Sequence, residues 1–110
     1  MPYDEGLAET MREDLADTQD IREKKMFGGL CFMWQGHMLC GVMRDHGMFR
    51  VGKPNYDAAL AVDGAGPMQF KGRAPMGGII RVDDDAMADD TRRTTWLAMA
   101  QSFVATLDPK

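Results

Sequence analysis

The sequence predicts an α+β domain with two layers, in which helices pack against an antiparallel sheet. Apolar residues recur at helical spacing near both ends of the chain. Between the ends, short apolar runs are separated by turn-forming residues, as expected for strands joined by hairpins. Hairpins make neighbouring strands antiparallel, and helices then cover an apolar sheet face. The predicted order is α-β(3)-α-β(2)-α in one domain over residues 1–110, and residues 22–27 are a candidate for one more strand.

A first helix is predicted over residues 4–17. Asp4 is its expected N-cap, because a carboxylate there can accept a hydrogen bond from a free amide of the first turn. Leu7, Met11 and Leu15 then recur every four residues and form one apolar stripe. Charged residues cover the remaining surface of this helix.

A β-hairpin is predicted around the step Gln35-Gly36. Residues 30–34 and 37–43 are the two apolar runs that flank it. The pair Gly28-Gly29 precedes the first run, and glycine adopts positive φ there at low steric cost. A third strand is expected at residues 48–51.

The second half of the chain predicts one short helix, two strands and a final helix. A turn at Asp45-His46-Gly47 leads into the third strand, and the short helix begins near Pro54 and ends near Asp63-Gly64. Residues 67–71 and 78–83 are the two further strands. Asp89 or Asp90 caps the final helix, whose apolar positions have clear helical spacing: Trp96, Leu97, Ala100, Phe103, Val104 and Leu107.

The two cysteines are placed by the register of the hairpin. A two-residue turn at Gln35-Gly36 predicts that Trp34 faces His37 and that Cys31 faces Cys40. The cysteine pair then falls on a non-hydrogen-bonded position, where side chains approach closely. Cys31 and Cys40 are therefore a candidate redox pair, although two buried structural cysteines are the favoured interpretation. Their number and setting do not suggest a zinc site.

Side-chain alternation predicts that both faces of the hairpin are apolar. One face is expected to carry Cys31, Met33, Met38, Cys40 and Val42, and the other Phe32, Trp34 and Leu39. Three helices are too few to cover five or six strands on both faces, so the second face is expected to meet another chain. The sequence therefore favours a homodimer.

Charge is unevenly distributed along the chain, which has a net charge of −4. Residues 1–23 hold eight acidic and two basic residues, residues 24–82 hold three acidic and eight basic ones, and residues 83–110 hold six acidic and three basic ones. The basic residues of the middle region include Lys24, Lys25, Arg50, Lys53, Lys71, Arg73 and Arg81. A basic region can attract nucleic acid, but an acidic chain is a poor non-specific DNA binder, so this alternative is not favoured.

No catalytic or metal-binding set is evident in the sequence. His37 and His46 have no sequence neighbour that would activate a nucleophile, and the only serine, Ser102, lies inside the final helix. The run Asp83-Asp84-Asp85 is typical of a solvated turn before a helix. We therefore expect a protein that is not an enzyme and has no cofactor. The chain also lacks an apolar run long enough for a membrane span and an N-terminal signal sequence, so a cytoplasmic protein is expected.

Several motifs together resemble the TfoX N-terminal domain family. They are Lys25-Met26-Phe27-Gly28-Gly29, Gly36 in the hairpin, Gly41-Val42, Arg50-Val51-Gly52, Pro67-Met68-Gln69-Phe70 and Gly72-Arg73-Ala74-Pro75-Met76. The resemblance spans nearly the whole chain. It implies a two-layer α+β domain similar to the type III secretion chaperone-like fold, and it supplies no catalytic residues.

The resemblance also implies a regulatory role. Longer members of the family regulate natural competence, are thought to act with the cyclic-AMP receptor protein at promoters, and carry a second, C-terminal domain. This chain ends at Lys110, soon after the last helix, and is expected to be a stand-alone domain. We therefore expect a regulatory domain that acts through protein contacts; the alternatives are a nucleic-acid-associated module and a thiol-based redox or small-molecule sensor.

Two segments combine basic groups with glycine-permitted backbone shapes and form the predicted interaction surface. The residues concerned are Lys24, Lys25, Met26, Phe27, Gly28 and Gly29 in the first segment, and Lys71, Arg73 and Met76 in the second. The alternative is that both segments are turns needed to build the sheet. The sequence does not name the partner.

Overall fold

In the part of the chain that the structure describes, six antiparallel strands form one sheet in the order β1-β2-β3-β4-β6-β5, and four helices accompany it. The structure is a computed structural model that describes residues 3–26, 28–68 and 77–109. The helices are α1 (Glu5–Asp14), α2 (Lys53–Leu60), α3 (Asp84–Met87) and α4 (Asp90–Val104). The strands are β1 (Ile21–Met26), β2 (Gly29–Trp34), β3 (His37–Val42), β4 (His46–Arg50), β5 (Ala65–Pro67) and β6 (Ile79–Asp83). None of the helices in these ranges is long and apolar enough to cross a membrane.

The predicted fold class is confirmed, and so is the additional strand near residues 22–27, which is β1. The predicted first helix is too long, because α1 ends at Asp14 and Leu15 is its C-cap. The predicted turn at residues 45–47 is misplaced, since His46 and Gly47 already pair with β6. The predicted strand at 67–71 corresponds to β5, which ends at Pro67, and residues 69–71 lie outside the described ranges.

Helix α3 was not predicted. It is a single turn that starts directly after β6, where an acidic run of three residues was expected to form only a solvated turn. Ala86 and Met87 of this turn are buried, and Met87 lies against Gly47 in β4. One helical turn is too short to show an apolar period in the sequence. Burial of Ala86 and Met87 in the core stabilises this turn instead.

Local capping chemistry fixes the starts of the two longest helices. The Asp4 carboxylate accepts a hydrogen bond from the Leu7 amide at 3.1 Å, as predicted. The Asp89 carboxylate accepts one from the Thr91 amide at 3.3 Å, which settles the predicted choice between two aspartates. Each cap satisfies an amide that has no partner within its own helix.

All four helices contribute buried residues to one core on one face of the sheet. Trp96 of α4 is fully buried there, and its ring centre lies 6.1 Å from that of Phe49 in β4. The Trp96 indole also donates a hydrogen bond to the Ala59 carbonyl of α2 at 3.1 Å. The polar end of this large side chain is therefore satisfied inside the core.

A buried arginine joins three helices at the edge of this core. Arg93 of α4 is 4% exposed and donates through Nε to Asp14 of α1 at 2.6 Å. Its Nη1 donates to the Met87 carbonyl of α3 at 2.9 Å, and its Nη2 donates to Asp90 at 2.7 Å. The hydrogen bonds with Asp14 raise the pKa of Arg93 above its ordinary value, so the guanidinium remains charged.

The predicted hairpin turn is confirmed, but the predicted register is wrong beyond its first two pairs. Gln35 and Gly36 have φ of 54° and 85°, the positive values of a type I′ turn. Trp34 faces His37, and Met33 faces Met38. A β-bulge then inserts Leu39, so that Phe32 faces Cys40 and Cys31 faces Gly41.

The bulge also changes the predicted division of side chains between the two faces. Cys40 and Val42 lie in the helix-side core with Phe32, whereas they were predicted to share a face with Cys31. A shift of one residue moves every later side chain of a strand to the opposite face. Gly41 consequently lies on the Cys31 face, where a Cβ atom would be 3.2 Å from the Cys31 sulfur.

The second face of the sheet carries its own apolar cluster, which we call the methionine face. It consists of Met26, Cys31, Met33, Met38, Met43, Met48, Met68 and Ile79. None of these residues belongs to α1–α4. Cys31, Met43, Met48 and Met68 are at most 4% exposed, whereas Met26, Met33 and Met38 are only partly buried. The prediction that both faces of the hairpin are apolar is therefore confirmed.

Candidate interaction surface

The first predicted segment lies on β1, at one edge of the sheet. Lys24 and Lys25 are exposed, and Met26 is partly buried. Lys24 faces Cys31 across the strand pair, so it shares the methionine face with Met26. Lys25 faces Leu30 of the helix-side core. The predicted surface is therefore divided between the two faces of the sheet.

The two glycines that follow β1 have different structural roles. Gly28 has a φ of 76°, the left-handed conformation predicted for this step. Gly29 is buried, and a Cβ atom there would lie 2.5 Å from the Val42 carbonyl oxygen and overlap the Met43 sulfur. Gly29 is thus required by close packing of β2 on the end of β3. Of the other predicted surface residues, Phe27, Lys71, Arg73 and Met76 lie outside the described ranges.

The exposed edge of β1 is protected against pairing with another strand. Four consecutive charged residues, Arg22 to Lys25, occupy its centre and are all exposed. The other edge strand, β5, is three residues long and ends in Pro67. Charged residues, short strands and proline are the features by which natural sheets discourage edge-to-edge association. A contact with another protein is therefore better placed on a face than on an edge.

The accessible part of the methionine face lies beside β1. Met33 of β2 faces Met38 of β3 in the strand pair, and Met26 of β1 packs against the same cluster. Arg22 faces Met33 from β1, so Arg22 and Lys24 form a basic rim along these methionines. The sequence predicted that Met33 and Met38 share a face, but of these methionines only Met26 was included in the predicted surface. Exposure of neighbouring side chains on three strands could not be read from periodicity alone.

The two thiols do not face each other, and both are free. Cys31 belongs to the methionine face and Cys40 to the helix-side core, so they lie on opposite faces. Burial raises the pKa of Cys31 to about 11. Burial also raises the pKa of Cys40, and the nearby Cys31 and Asp14 act in the same direction. Protonated, buried thiols are poor nucleophiles, which favours the structural interpretation of the pair.

The basic residues of the middle region are dispersed in the part of the chain that the structure describes. Lys24 and Lys25 lie on edge strand β1, whereas Arg50 lies at the end of β4, three strands away. Three strand spacings separate these groups by roughly 14 Å. Arg81 of β6 pairs with Asp83 at 3.0 Å, which offsets its charge. Residues 3–26, 28–68 and 77–109 thus provide no continuous basic stripe of the kind that follows a nucleic-acid backbone.

Neither histidine is hydrogen-bonded to a nucleophile among the described residues. His46 Nδ1 lies 2.7 Å from the Asp45 carboxylate, and His37 Nε2 lies 2.6 Å from the Asp108 carbonyl. Ser102 is exposed on α4. Within residues 3–26, 28–68 and 77–109, no group of three histidine, cysteine or acidic side chains is arranged to hold a metal ion.

The family model described as the TfoX N-terminal domain matches residues 13–104. The matched segment begins inside α1 and ends at the last residue of α4, so it includes the whole sheet. No curated protein and no solved structure matches the chain.

Proposed function

The chain belongs to the TfoX N-terminal domain family, and on that basis we propose that it is a competence-regulator-like domain that acts by binding protein and not by catalysis. Its binding surface is the accessible part of the methionine face, formed by Met26, Met33 and Met38. The proposed occupant is a second copy of the chain, so that the working form is a homodimer. The proposed setting is the cytoplasm, whose reducing conditions suit the two free thiols.

One observation carries this proposal: three partly exposed methionines lie together on the sheet face to which the four helices contribute no residue. Methionine has three rotatable bonds and a polarizable sulfur, so a methionine surface can adapt to an apolar partner. The buried remainder of the cluster, including Cys31 and Met48, lies beneath this surface. An accessible apolar surface is typical of a protein-binding site.

The charged edge of β1 supports the use of this face. Strand addition at β1 would place Arg22 to Lys25 against another backbone, where charged side chains oppose close pairing. Contact through Met33 and Met38 leaves Arg22 and Lys24 at the rim of the interface. Charged rims with apolar centres are the usual arrangement of protein interfaces.

The absence of a catalytic role is supported by the settings of the reactive side chains. The two thiols are buried, and burial raises the pKa of each. His37 is hydrogen-bonded to a backbone carbonyl, and His46 is hydrogen-bonded to an exposed aspartate. In the described part of the chain, these groups show none of the mutual hydrogen bonds that activate a nucleophile.

The basic rim provides a test that distinguishes a second copy from an acidic partner protein. In a symmetric dimer, the two copies carry the same net charge of −4 and the same basic rim, so they repel each other electrostatically. Salt screens this repulsion, and self-association should strengthen as salt is added. An acidic partner would instead be attracted to the rim, and its binding would weaken with salt.

Sedimentation equilibrium at several protein concentrations and at low and high salt measures this behaviour. The proposal expects a monomer–dimer equilibrium whose association constant increases with salt. A protein that remains monomeric at every concentration in both salts would contradict the homodimer. A dimer that dissociates as salt is added would contradict the symmetric methionine interface.

A further inference from the structure

A pocket of about 520 Å³ lies at the end of the sheet where β4 leads into α2. It is far from β1 in the strand order, and among the described residues it shares only Ile79 with the methionine face. Its lining residues are Arg50, Gly52, Lys53, Pro54, Gly77, Gly78, Ile79 and Phe103. The volume falls in the range of small-molecule sites, roughly 300–1,000 Å³.

Of the lining residues that the structure describes, two are cationic and none is acidic. Arg50 is partly buried, and Lys53 is exposed at the start of α2. Within residues 3–26, 28–68 and 77–109, neither forms an ion pair with an acidic side chain. An anion bound between these two side chains would be attracted to both.

The Arg50 guanidinium is held by an aromatic ring. Its Cζ atom lies 5.6 Å from the centre of the Phe103 ring, a cation–π distance. Phe103 packs so tightly against Gly52 that a Cβ atom there would overlap the ring. This contact positions the arginine at the pocket and makes Phe103 part of an apolar wall that also includes Ile79 and Pro54.

A close contact between two glycines gives the pocket a firm backbone floor. The Gly52 amide donates to the Gly78 carbonyl at 2.9 Å. Both residues have positive φ, 84° at Gly52 and 88° at Gly78, and a Cβ atom at Gly78 would lie 3.2 Å from Gly52 Cα. Only glycine combines these conformations with such an approach, so the junction of β4, α2 and β6 is built tightly around the cavity.

The geometry points to a binding site for a small organic phosphate, with the phosphate between Arg50 and Lys53 and an aromatic or aliphatic group against Phe103 and Ile79. Arginine binds phosphate oxygens through paired donors, and lysine adds a mobile positive charge. The apolar wall would contribute affinity that inorganic phosphate cannot obtain. This site is separate from the proposed protein interface.

Titration of the ¹⁵N-labelled protein with phenyl phosphate, followed by amide chemical shifts, tests the site. The amides of Gly52, Gly78 and Phe103 are expected to shift in a saturable manner. Inorganic phosphate and benzyl alcohol, titrated separately, are each expected to bind at least about tenfold more weakly, because each lacks one half of the recognised chemistry. Phenyl phosphate that leaves these amides unshifted would overturn the site, and equal affinity for inorganic phosphate would overturn the assigned ligand class.

Charge-removing variants provide the second measurement. K53Q and R50Q are each expected to weaken phenyl phosphate binding about tenfold, the effect of losing one charge-assisted hydrogen bond. R44Q is the matched control, because Arg44 is exposed beyond the opposite end of β4 and does not line the pocket. Because Lys53 is exposed, K53Q should retain the wild-type amide spectrum even if R50Q disturbs packing on Phe103. Unchanged affinity in K53Q, or an equal loss in R44Q, would overturn the assignment.

Discussion

Replacing Arg93 with methionine should strongly destabilise the protein, although methionine is nearly as long and helix-compatible. Arg93 is 4% exposed and joins α4 to α1 and α3. R93M removes two donors from the Asp14 carboxylate, whose side chain is only 15% exposed, and one donor from the Met87 carbonyl. The buried carboxylate and carbonyl then lack their partners, and the unfolded state gains in relative stability.

The magnitude follows from which partners are buried. Breaking a buried ion pair typically costs about 3–5 kcal/mol, because the remaining charge stays desolvated. The third partner, Asp90, is 87% exposed and adds little. We therefore expect R93M to lower the free energy of unfolding by about 3 kcal/mol. For a domain of this size, this corresponds to a melting temperature lower by about 12 °C.

Urea denaturation followed by tryptophan fluorescence, from Trp34 and the buried Trp96, measures the loss. R92M is the matched control on the same helix, because Arg92 pairs with Asp89 at a partly exposed site and should cost less than about 1 kcal/mol. Adding D14N to R93M should recover part of the stability, since it removes the unpaired negative charge of the Asp14 carboxylate. A loss below about 1 kcal/mol in R93M, or no recovery in D14N/R93M, would refute the reasoning.

Three further predictions concern backbone packing, the thiols and an acidic cluster. G41A should lower the free energy of unfolding by about 1–3 kcal/mol, because its Cβ would meet the Cys31 sulfur at 3.2 Å. G66A is the control, since a Cβ there has nothing within 4 Å, and urea denaturation should show a change within about 0.5 kcal/mol. Equal effects of the two substitutions would contradict the bulged register. Both cysteines should react slowly with a thiol reagent at pH 8 in the native protein, and both should react completely in urea. Rapid reaction in the native protein, or loss of both thiols when an oxidant is added, would disprove their structural role. Desolvation is the main cause that raises the pKa of Asp84 in the folded state, and repulsion by the carboxylates of Asp4 and Asp45 adds to it. The ionised Asp84 carboxylate therefore destabilises the fold at neutral pH. D84N should therefore be more stable than the wild type at pH 7, and this advantage should disappear as pH falls and the wild-type Asp84 becomes protonated; a constant difference across pH would count against the linkage.

Features governed by local chemistry were predictable from the sequence. Asp4 and Asp89 cap their helices because an aspartate before an apolar helical stripe satisfies free amides whatever the tertiary structure. The turn at Gln35-Gly36 was predictable because the apolar runs on either side leave only two residues between them. The fold class followed from helical spacing near both ends of the chain and strand-length apolar runs between them; the family resemblance implied the same class, and the topology confirms it.

Features governed by tertiary packing were not predictable in the same way. The bulge at Leu39 could not be predicted from the spacing of apolar residues, because both hairpin faces are apolar and either register would bury hydrophobic side chains. That single insertion places Cys40 and Val42 in the helix-side core, whereas Cys31 lies on the methionine face. The pocket depends on contact between Arg50 and Phe103, which are distant in sequence and share no motif.

The central claim is that the accessible methionines form the contact between two copies of the chain. Sedimentation equilibrium of M38R tests it most directly, since Met38 is partly buried on that face and an arginine there would place a charge in an apolar interface beside the basic rim. A98R is the matched control, because Ala98 is exposed on α4 in the helix layer. The account predicts that M38R weakens dimerisation at least about tenfold while A98R dimerises like the wild type. Dimerisation unchanged in M38R, with the wild-type protein dimeric, would contradict it.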